Sequence, residues 1–296
     1  MTTSTASLTI VPDSGVVPAP GRRCGVAGSP IAHSLSPVLH REAYRLLGLP
    51  WEYTAHEVTK ADLADFLAGL DERWRGLSCT MPLKEAIVAR GEPDETVRAL
   101  GVANTMVFDG RANDPATTRL LNTDVVGIES ALEASGAASP EEAVVLGTGA
   151  TAHSLVYALA RTGAGLIHVL GRDPEKVDAL VAAGRGWGAR TRPGRLGDDM
   201  PAADLVVSTV PSRVAALLAP RIAKRSVAVF DILYDPWPTP LITEAQAARR
   251  VTITGLDLLV HQAIGQVEAM TGGVVEAEPL FAAAHAALRR RRLMTD

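Results

Sequence analysis

The sequence predicts an α/β protein. An N-terminal α/β domain precedes a doubly wound parallel sheet of Rossmann type, and C-terminal helices return to the first domain. Three observations predict this. Short apolar runs alternate with helical patterns, as parallel sheets with crossover helices require. The segment VVLGTGATA, Val144 to Ala152, places GxGxxA after an apolar strand and before a helix. The last stretch, Asp257 to Arg291, reads as two helical segments with no strand of their own. The expected division is a flexible tail over 1–20, a substrate-binding catalytic domain over 21–123 completed by 257–292, and a nucleotide-binding domain over 124–256.

The bulk numbers suit this plan. The chain has 296 residues, 47% of them apolar, enough for two domains with packed cores. Lys and Arg total 29 against 33 Asp and Glu, a net charge of −4. That balance argues against nucleic acid as a partner, because phosphate contacts need a clustered basic excess. The basic run Arg289 to Arg292 reads as a solvated helix end. Cys24 and Cys79 sit in apolar runs and read as small buried residues of a reducing compartment. No CxxC or HExxH spacing suggests a metal. The opening segment lacks the basic end and apolar block of a signal peptide, and no stretch suits a membrane span. A cytoplasmic protein without a membrane partner is expected, as a monomer or homodimer.

The first strand is expected over Arg23 to Ala27. A helix follows from about Pro37 to Leu47, with Ser36 as N-cap, Leu39, Ala43 and Leu46 on its apolar face, and Gly48 closing it. Strand 51–58, helix 61–70 and strand 76–79 come next, and another helix is expected to start near Pro82. In the second half, a helix from Val125 leads to strand 143–146 and helix 151–162. Strand 166–170 and helix 175–183 follow, then strand candidates at 205–208, 228–231 and 251–254.

GTGATA supplies the cofactor end. Gly147 permits the tight turn, Gly149 lets backbone approach a pyrophosphate, and Ala152 lets helix and strand pack closely. Helix-start N–H groups then hold phosphate. After the next strand comes GRDP. Gly171 offers no carboxylate for a ribose 2′-hydroxyl, while Arg172 can grip a 2′-phosphate, which favours NADP over NAD. Asp173 reads as the cap of the following helix, with Pro174 in its first turn.

Three polar motifs supply the substrate end. In GSPIAHSLSP, Ser34 and Ser36 lie two residues apart beyond a strand; in extended backbone they point the same way and suit a polyol or carboxylate. In GLSCTMPLK, Lys84 falls at an expected helix start, where the dipole disfavours a cation, and that misplacement hints at function. Asn104 in ANT and Asp124 in NTD read equally as a turn asparagine and an N-cap aspartate.

The pieces GSPIAHSLSPVLH, GLSCTMPLK, GVANT, LNTDVVG, VLGTGATA, DILYDPWPTPL and GLDLLVHQA occur in this order. Through them, from about Gly25 to Gly272, the chain resembles the shikimate dehydrogenase family. The resemblance implies reversible NADPH-dependent reduction of 3-dehydroshikimate to shikimate, in aromatic amino-acid biosynthesis. It implies a catalytic pair at Lys84 and Asp124. Substrate contacts fall on Ser34, Ser36, Thr80, Asn104 and Gln262, with Tyr234 nearby. Ser78 stands where the family often has asparagine, a shorter polar group at a candidate substrate position. Cofactor contacts fall on Gly147, Thr148, Gly149, Ala150, Thr151 and Arg172, and on Gly255, which opens GLDLLVHQA. Gly171 and Asp173 replace the family's usual asparagine and threonine around the clamp arginine, and Ala150 and Thr151 stand where glycine and alanine are common. Ser78 leaves quinate or an aminated shikimate open as the substrate. A non-catalytic ligand sensor is the reading from another class, and the presence of both Lys84 and Asp124 speaks against it.

Overall fold

The structure, a computed structural model, describes residues 21–112 and 114–295; the expected tail over 1–20 lies outside the described residues. The first sheet begins with β1 (Arg23–Gly28), buried almost throughout as a central parallel strand should be. Helix α1 (Ser36–Leu46) buries Leu39, His40, Ala43 and Tyr44 along one face, and Gly48 at φ 65° turns the chain out of it. Then come β2 (Glu52–Glu57), α2 (Leu63–Ala68), β3 (Trp74–Cys79), β4 (Glu92–Pro93), α3 (Glu95–Leu100), β5 (Thr105–Phe108) and β6 (Thr118–Leu121). The strand order is β2-β1-β3-β5-β6-β4. β1 is parallel to β2 and β3, whereas β5 runs antiparallel to β3 and β6. This sheet is therefore mixed, and wider than the β-α-β-α-β pattern expected from sequence.

The helix expected near Pro82 does not form. Residues 80–87 make successive turns, and the Lys84 carbonyl accepts from the Ala103 N–H at 2.9 Å instead of serving a helix. The Val88 N–H turns to the Glu85 carbonyl at 3.3 Å, and only a single 3-10 turn, Val88–Arg90, follows. The α1 cap also differs. Leu35 occupies the N-cap position and Ser36 is already helical, with Pro37 in the first turn.

Helix α4 (Thr123–Ala134) leads into the second sheet. Its elements are β7 (Glu142–Leu146), α5 (Ala150–Arg161), β8 (Leu166–Gly171), α6 (Pro174–Gly186), β9 (Thr191–Arg195), β10 (Ala203–Ser208), α7 (Ser212–Arg225), β11 (Ser226–Asp231), α8 (Pro240–Ala247) and β12 (Val251–Ile253). The order is β12-β11-β10-β7-β8-β9, and every pairing is parallel. This is the Rossmann winding, and its direction reverses between β7 and β10. Ligands of such sheets bind at the carboxyl ends of the strands flanking that reversal.

Helices α9 (Gly255–Thr271) and α10 (Ala277–Thr295) close the fold. Leu256, Val260, Ala263, Val267, Leu280 and Ala284 form one core with Leu35, Leu39 and Ala43 at the start of the chain. α9 is anchored by a reciprocal cap between Thr254 and Asp257. Close contact between α9 and α4 depends on Gly127, where a Cβ would stand 2.8 Å from the Gln262 backbone nitrogen. Both cysteines are buried and free, with burial pushing the Cys24 thiol up to about 11 and that of Cys79 to about 12. Among the described residues, no helix is long and apolar enough to cross a membrane.

Candidate active site

The first group gathers where β3, β5 and α4 meet. Lys84 Nζ donates to Asp124 Oδ2 at 2.5 Å, and the two side chains are only 14% and 4% exposed. Asp124 sits in the first turn of α4, where the helix dipole favours a carboxylate. It is not the cap itself: Asn122 takes that role, accepting from the Asp124 N–H at 3.1 Å. Asn104 Nδ2 lies 2.9 Å from Asp124 Oδ1, 3.0 Å from Gln262 Oε1 and 3.0 Å from Thr123 Oγ1. An amide nitrogen has two hydrogens, so these acceptors compete for it. Asn104 Oδ1 accepts from the Thr123 N–H at 2.9 Å and from Thr105 Oγ1 at 2.7 Å, which fixes the amide's orientation. The Lys84–Ala103 backbone bond sets the lysine turn beside this network. A part-buried cation and a buried carboxylate are thus held together with their geometry set by neighbours, an arrangement suited to proton handling.

The second group forms at the end of β1. Ser34 Oγ accepts from the Ser36 N–H at 3.3 Å, and the chain turns into α1 there, so extended alternation does not orient the two hydroxyls. The loop reaches the Thr80 turn through Ser29 N–H, which donates to the Met81 carbonyl at 2.9 Å. Gly28 permits this approach, since a Cβ there would stand 2.4 Å from Thr80 Cγ2. Tyr234 packs against the core shared by α1, α9 and α10, and burial pushes its phenol up, with the Leu35 backbone N–H opposing that shift. The Asp231 carboxylate shapes the turn before Tyr234, accepting from Thr239 Oγ1 at 2.7 Å and from the Leu233 N–H at 3.3 Å.

Ser78 is placed behind these groups. Its hydroxyl accepts from Tyr53 at 2.7 Å and donates to Gln266 Oε1 at 2.8 Å. Both roles of the hydroxyl are taken within the protein. Gln266, which sequence reasoning missed, also meets His40 Nε2 at 3.2 Å and Thr105 Oγ1 at 3.1 Å. Burial pushes the His40 imidazole down to about 4, so it is neutral around pH 7. The available signal for Gln266 was its spacing of one helical turn from Gln262.

The third group lines a cleft of about 490 Å³ bounded by Met81, Pro82 and Lys84 on one side and by Gly149, Ala150, Thr151 and Ala152 on the other. Gly147, at φ 111°, needs a glycine. Gly149 precedes the 12-residue helix α5, and no heavy atom lies within 4 Å of a Cβ built on it. Open backbone at a helix N-terminus is what an approaching phosphate requires, so these residues fit a dinucleotide. Thr209, Ile232 and Leu233 also line it, as do Lys60 and Glu85, and sequence reading missed all five. The Thr209 N–H donates to the Leu146 carbonyl at 2.9 Å, at the winding reversal. Thr148 does not line the cleft; its methyl approaches Gly171. Gly255 also does not line it. Its bare Cα abuts Ile232 and Leu233, which do, so it acts on their position.

At the β8 tip, a Cβ on Gly171 would stand 2.5 Å from Val177 Cγ2 and 3.0 Å from Thr148 Cγ2. Any side chain at this position would have to displace Val177 and Thr148, and the glycine itself brings no carboxylate. Asp173 caps α6, accepting from the Glu175 N–H at 3.1 Å. Arg172 is exposed and makes no hydrogen bond or ion pair with a described residue, which leaves its guanidinium available.

A Rossmann sheet, a Lys–Asp pair beside a second sheet, and a cleft lined from both sides define a nucleotide-dependent dehydrogenase. The family model of the shikimate dehydrogenase substrate binding domain matches residues 26–106. A shikimate dehydrogenase (NADP(+)) of Methanocella arvoryzae is 36% identical over 256 residues, 84% of this chain and 92% of the relative. The crystal structure of Mycobacterium tuberculosis shikimate dehydrogenase aligns with TM-score 0.81 and 40% identity, covering 90% of this chain and 99% of that one. The Thermus thermophilus shikimate 5-dehydrogenase in complex with NADP(H) and shikimate aligns with TM-score 0.75 and 28% identity, covering 90% and 100%. The chain belongs to the shikimate dehydrogenase family.

Proposed function

We propose that the chain is an NADP-dependent shikimate dehydrogenase, reversibly reducing 3-dehydroshikimate to shikimate. The observation that carries this reading is the part-buried Lys84–Asp124 contact, whose lysine lines the nucleotide cleft. NADPH, when bound, supplies the hydride. Gly149, Ala150 and Thr151 at the α5 N-terminus hold its phosphates, Gly147 shapes the turn that leads there, and Arg172 holds the 2′-phosphate. Residues 21–123 with 257–292 serve as the substrate domain, and 124–256 as the nucleotide domain.

Lys84 stands where negative charge develops on the substrate oxygen. It stabilises or protonates that oxygen, while Asp124 orients the lysine and accepts from a neighbouring ring hydroxyl. Asn104 and Gln262 position Asp124 and the ring. Ser34 and Ser36 anchor the substrate carboxylate through neutral hydroxyls, and Thr80 and Tyr234 complete the contact set. Ser78 acts through Gln266, since its hydroxyl is already engaged by Tyr53 and Gln266. Turnover of shikimate with NADP⁺ by the purified protein tests the proposal.

Cofactor preference has its own expected result. Arg172→Ala removes a charge-assisted contact worth roughly 1.5–3 kcal/mol, so the NADP⁺ KM should rise at least about tenfold. The NAD⁺ KM should stay nearly unchanged, because NAD⁺ lacks the 2′-phosphate. Equal losses with both cofactors would place Arg172 outside the clamp. A wild-type kcat/KM higher for NAD⁺ than for NADP⁺ would shift attention to Asp173.

A further inference from the structure

We propose that Arg291, near the end of α10, is a positioning residue for the serine loop: its guanidinium grips the His33 and Ser34 carbonyls and so sets substrate affinity at Ser34 and Ser36. The sequence reads Arg289 to Arg292 as a solvated helix end, and the fold departs from that at Arg291. Its Nη1 donates to the His33 carbonyl at 2.8 Å and its Nη2 to the Ser34 carbonyl at 3.3 Å. One planar, rigid fork therefore holds two consecutive carbonyls. A trans peptide points its C=O and N–H in opposite directions. With the Ser34 carbonyl turned toward Arg291, the Leu35 N–H is turned away from it, on the side of the Tyr234 phenol. The Ser34 hydroxyl in turn accepts from the Ser36 N–H at 3.3 Å, one peptide beyond the two that Arg291 holds, so its direction follows the backbone they lead into.

The other end of the loop is held separately by Glu57, which accepts from Ser29 Oγ at 2.6 Å and from the Ile31 N–H at 2.9 Å. Arg291 and Glu57 thus grip the segment from opposite ends. The nearby His33–Asp235 contact is long, at 3.5 Å, and both side chains are exposed, so it adds little. Arg291 also brings a fixed positive charge behind the two hydroxyls, and its field reaches the Tyr234 phenol. An anionic group held by neutral hydroxyls gains from that field without displacing them. This inference rests on the reading of Ser34 and Ser36 as substrate contacts.

The test compares full-length wild type with Arg291→Ala and Arg291→Lys. Arg291→Ala should raise the shikimate KM about tenfold, with kcat and the NADP⁺ KM within about twofold of wild type. Arg291→Lys should recover part of the loss, since it keeps the charge and loses the fork; it carries the comparison if the alanine variant does not fold. Hydrogen exchange over residues 29–38 of the ligand-free protein should be faster in Arg291→Ala. An unchanged shikimate KM would overturn the inference, and so would parallel losses in kcat and NADP⁺ affinity, which mark general damage. Unchanged exchange over 29–38 would overturn it whatever the substrate is, so its failure is distinguishable from failure of the functional reading.

Discussion

Replacing Lys84 by alanine is expected to lower kcat for shikimate oxidation by about 10²–10⁴-fold while moving KM far less, the usual worth of a positioned acid or base. The lysine contacts charge that exists mainly in the transition state, so its loss falls on kcat. The substitution has a second consequence that must be separated. Asp124 is 4% exposed and would lose its cationic partner, and stranding a buried charge typically costs about 3–5 kcal/mol of stability. Part of that cost is offset because Asn104 still donates to Oδ1 at 2.9 Å. The assay therefore runs below the variant's melting temperature, on protein shown to be folded by circular dichroism. A folded variant with near-normal kcat would remove Lys84 from the chemistry.

Asp124→Asn is expected to lower activity by at least about 10²-fold with the fold intact. The amide keeps the shape and can still meet Asn104, but it brings no negative charge to Lys84. Its position in the first turn of α4 is no obstacle, since Asn122 supplies the cap. If the two side chains act as a unit, the double variant should lose about as much as either single one. Losses that multiply would make Asp124 an independent substrate ligand.

The fold was legible where local signals and tertiary packing agree. GxGxxA, the buried runs at Ala143 to Leu146 and Leu205 to Ser208, and Leu39 and Ala43 on α1 state their structure locally; Leu46, expected on the same face, is exposed at the helix end. The strands β5 and β6 were not legible as such, because each has only four residues and their pairing with β3 is antiparallel and long-range. The segment after Pro82, expected as a helix, was likewise not legible: its turns are tied to a distant strand end through the Ala103 N–H and the Lys84 carbonyl. Taken residue by residue, Lys84 reads as a misplaced cation and Asp124 as a helix cap; the family resemblance implied the pair, and the packing of α4 against the lysine turn brings the two side chains into contact. Gln266 and Arg291 were hidden because each acts across more than 180 residues, on Ser78 and on the Ser34 loop respectively. Ser36 misled in a small way: Ser-Pro before an apolar pattern suits a cap, yet the helix starts one residue earlier.

The measurement that bears most directly on the central claim is a spectrophotometric assay of the purified protein. Shikimate and quinate are each offered with NADP⁺ and with NAD⁺, and reduced cofactor is followed over time. The highest kcat/KM is expected for shikimate with NADP⁺, from the Lys84–Asp124 pair together with an exposed Arg172 and a Gly171 that brings no acid. Higher kcat/KM for quinate, or no turnover of shikimate by folded protein, would contradict it.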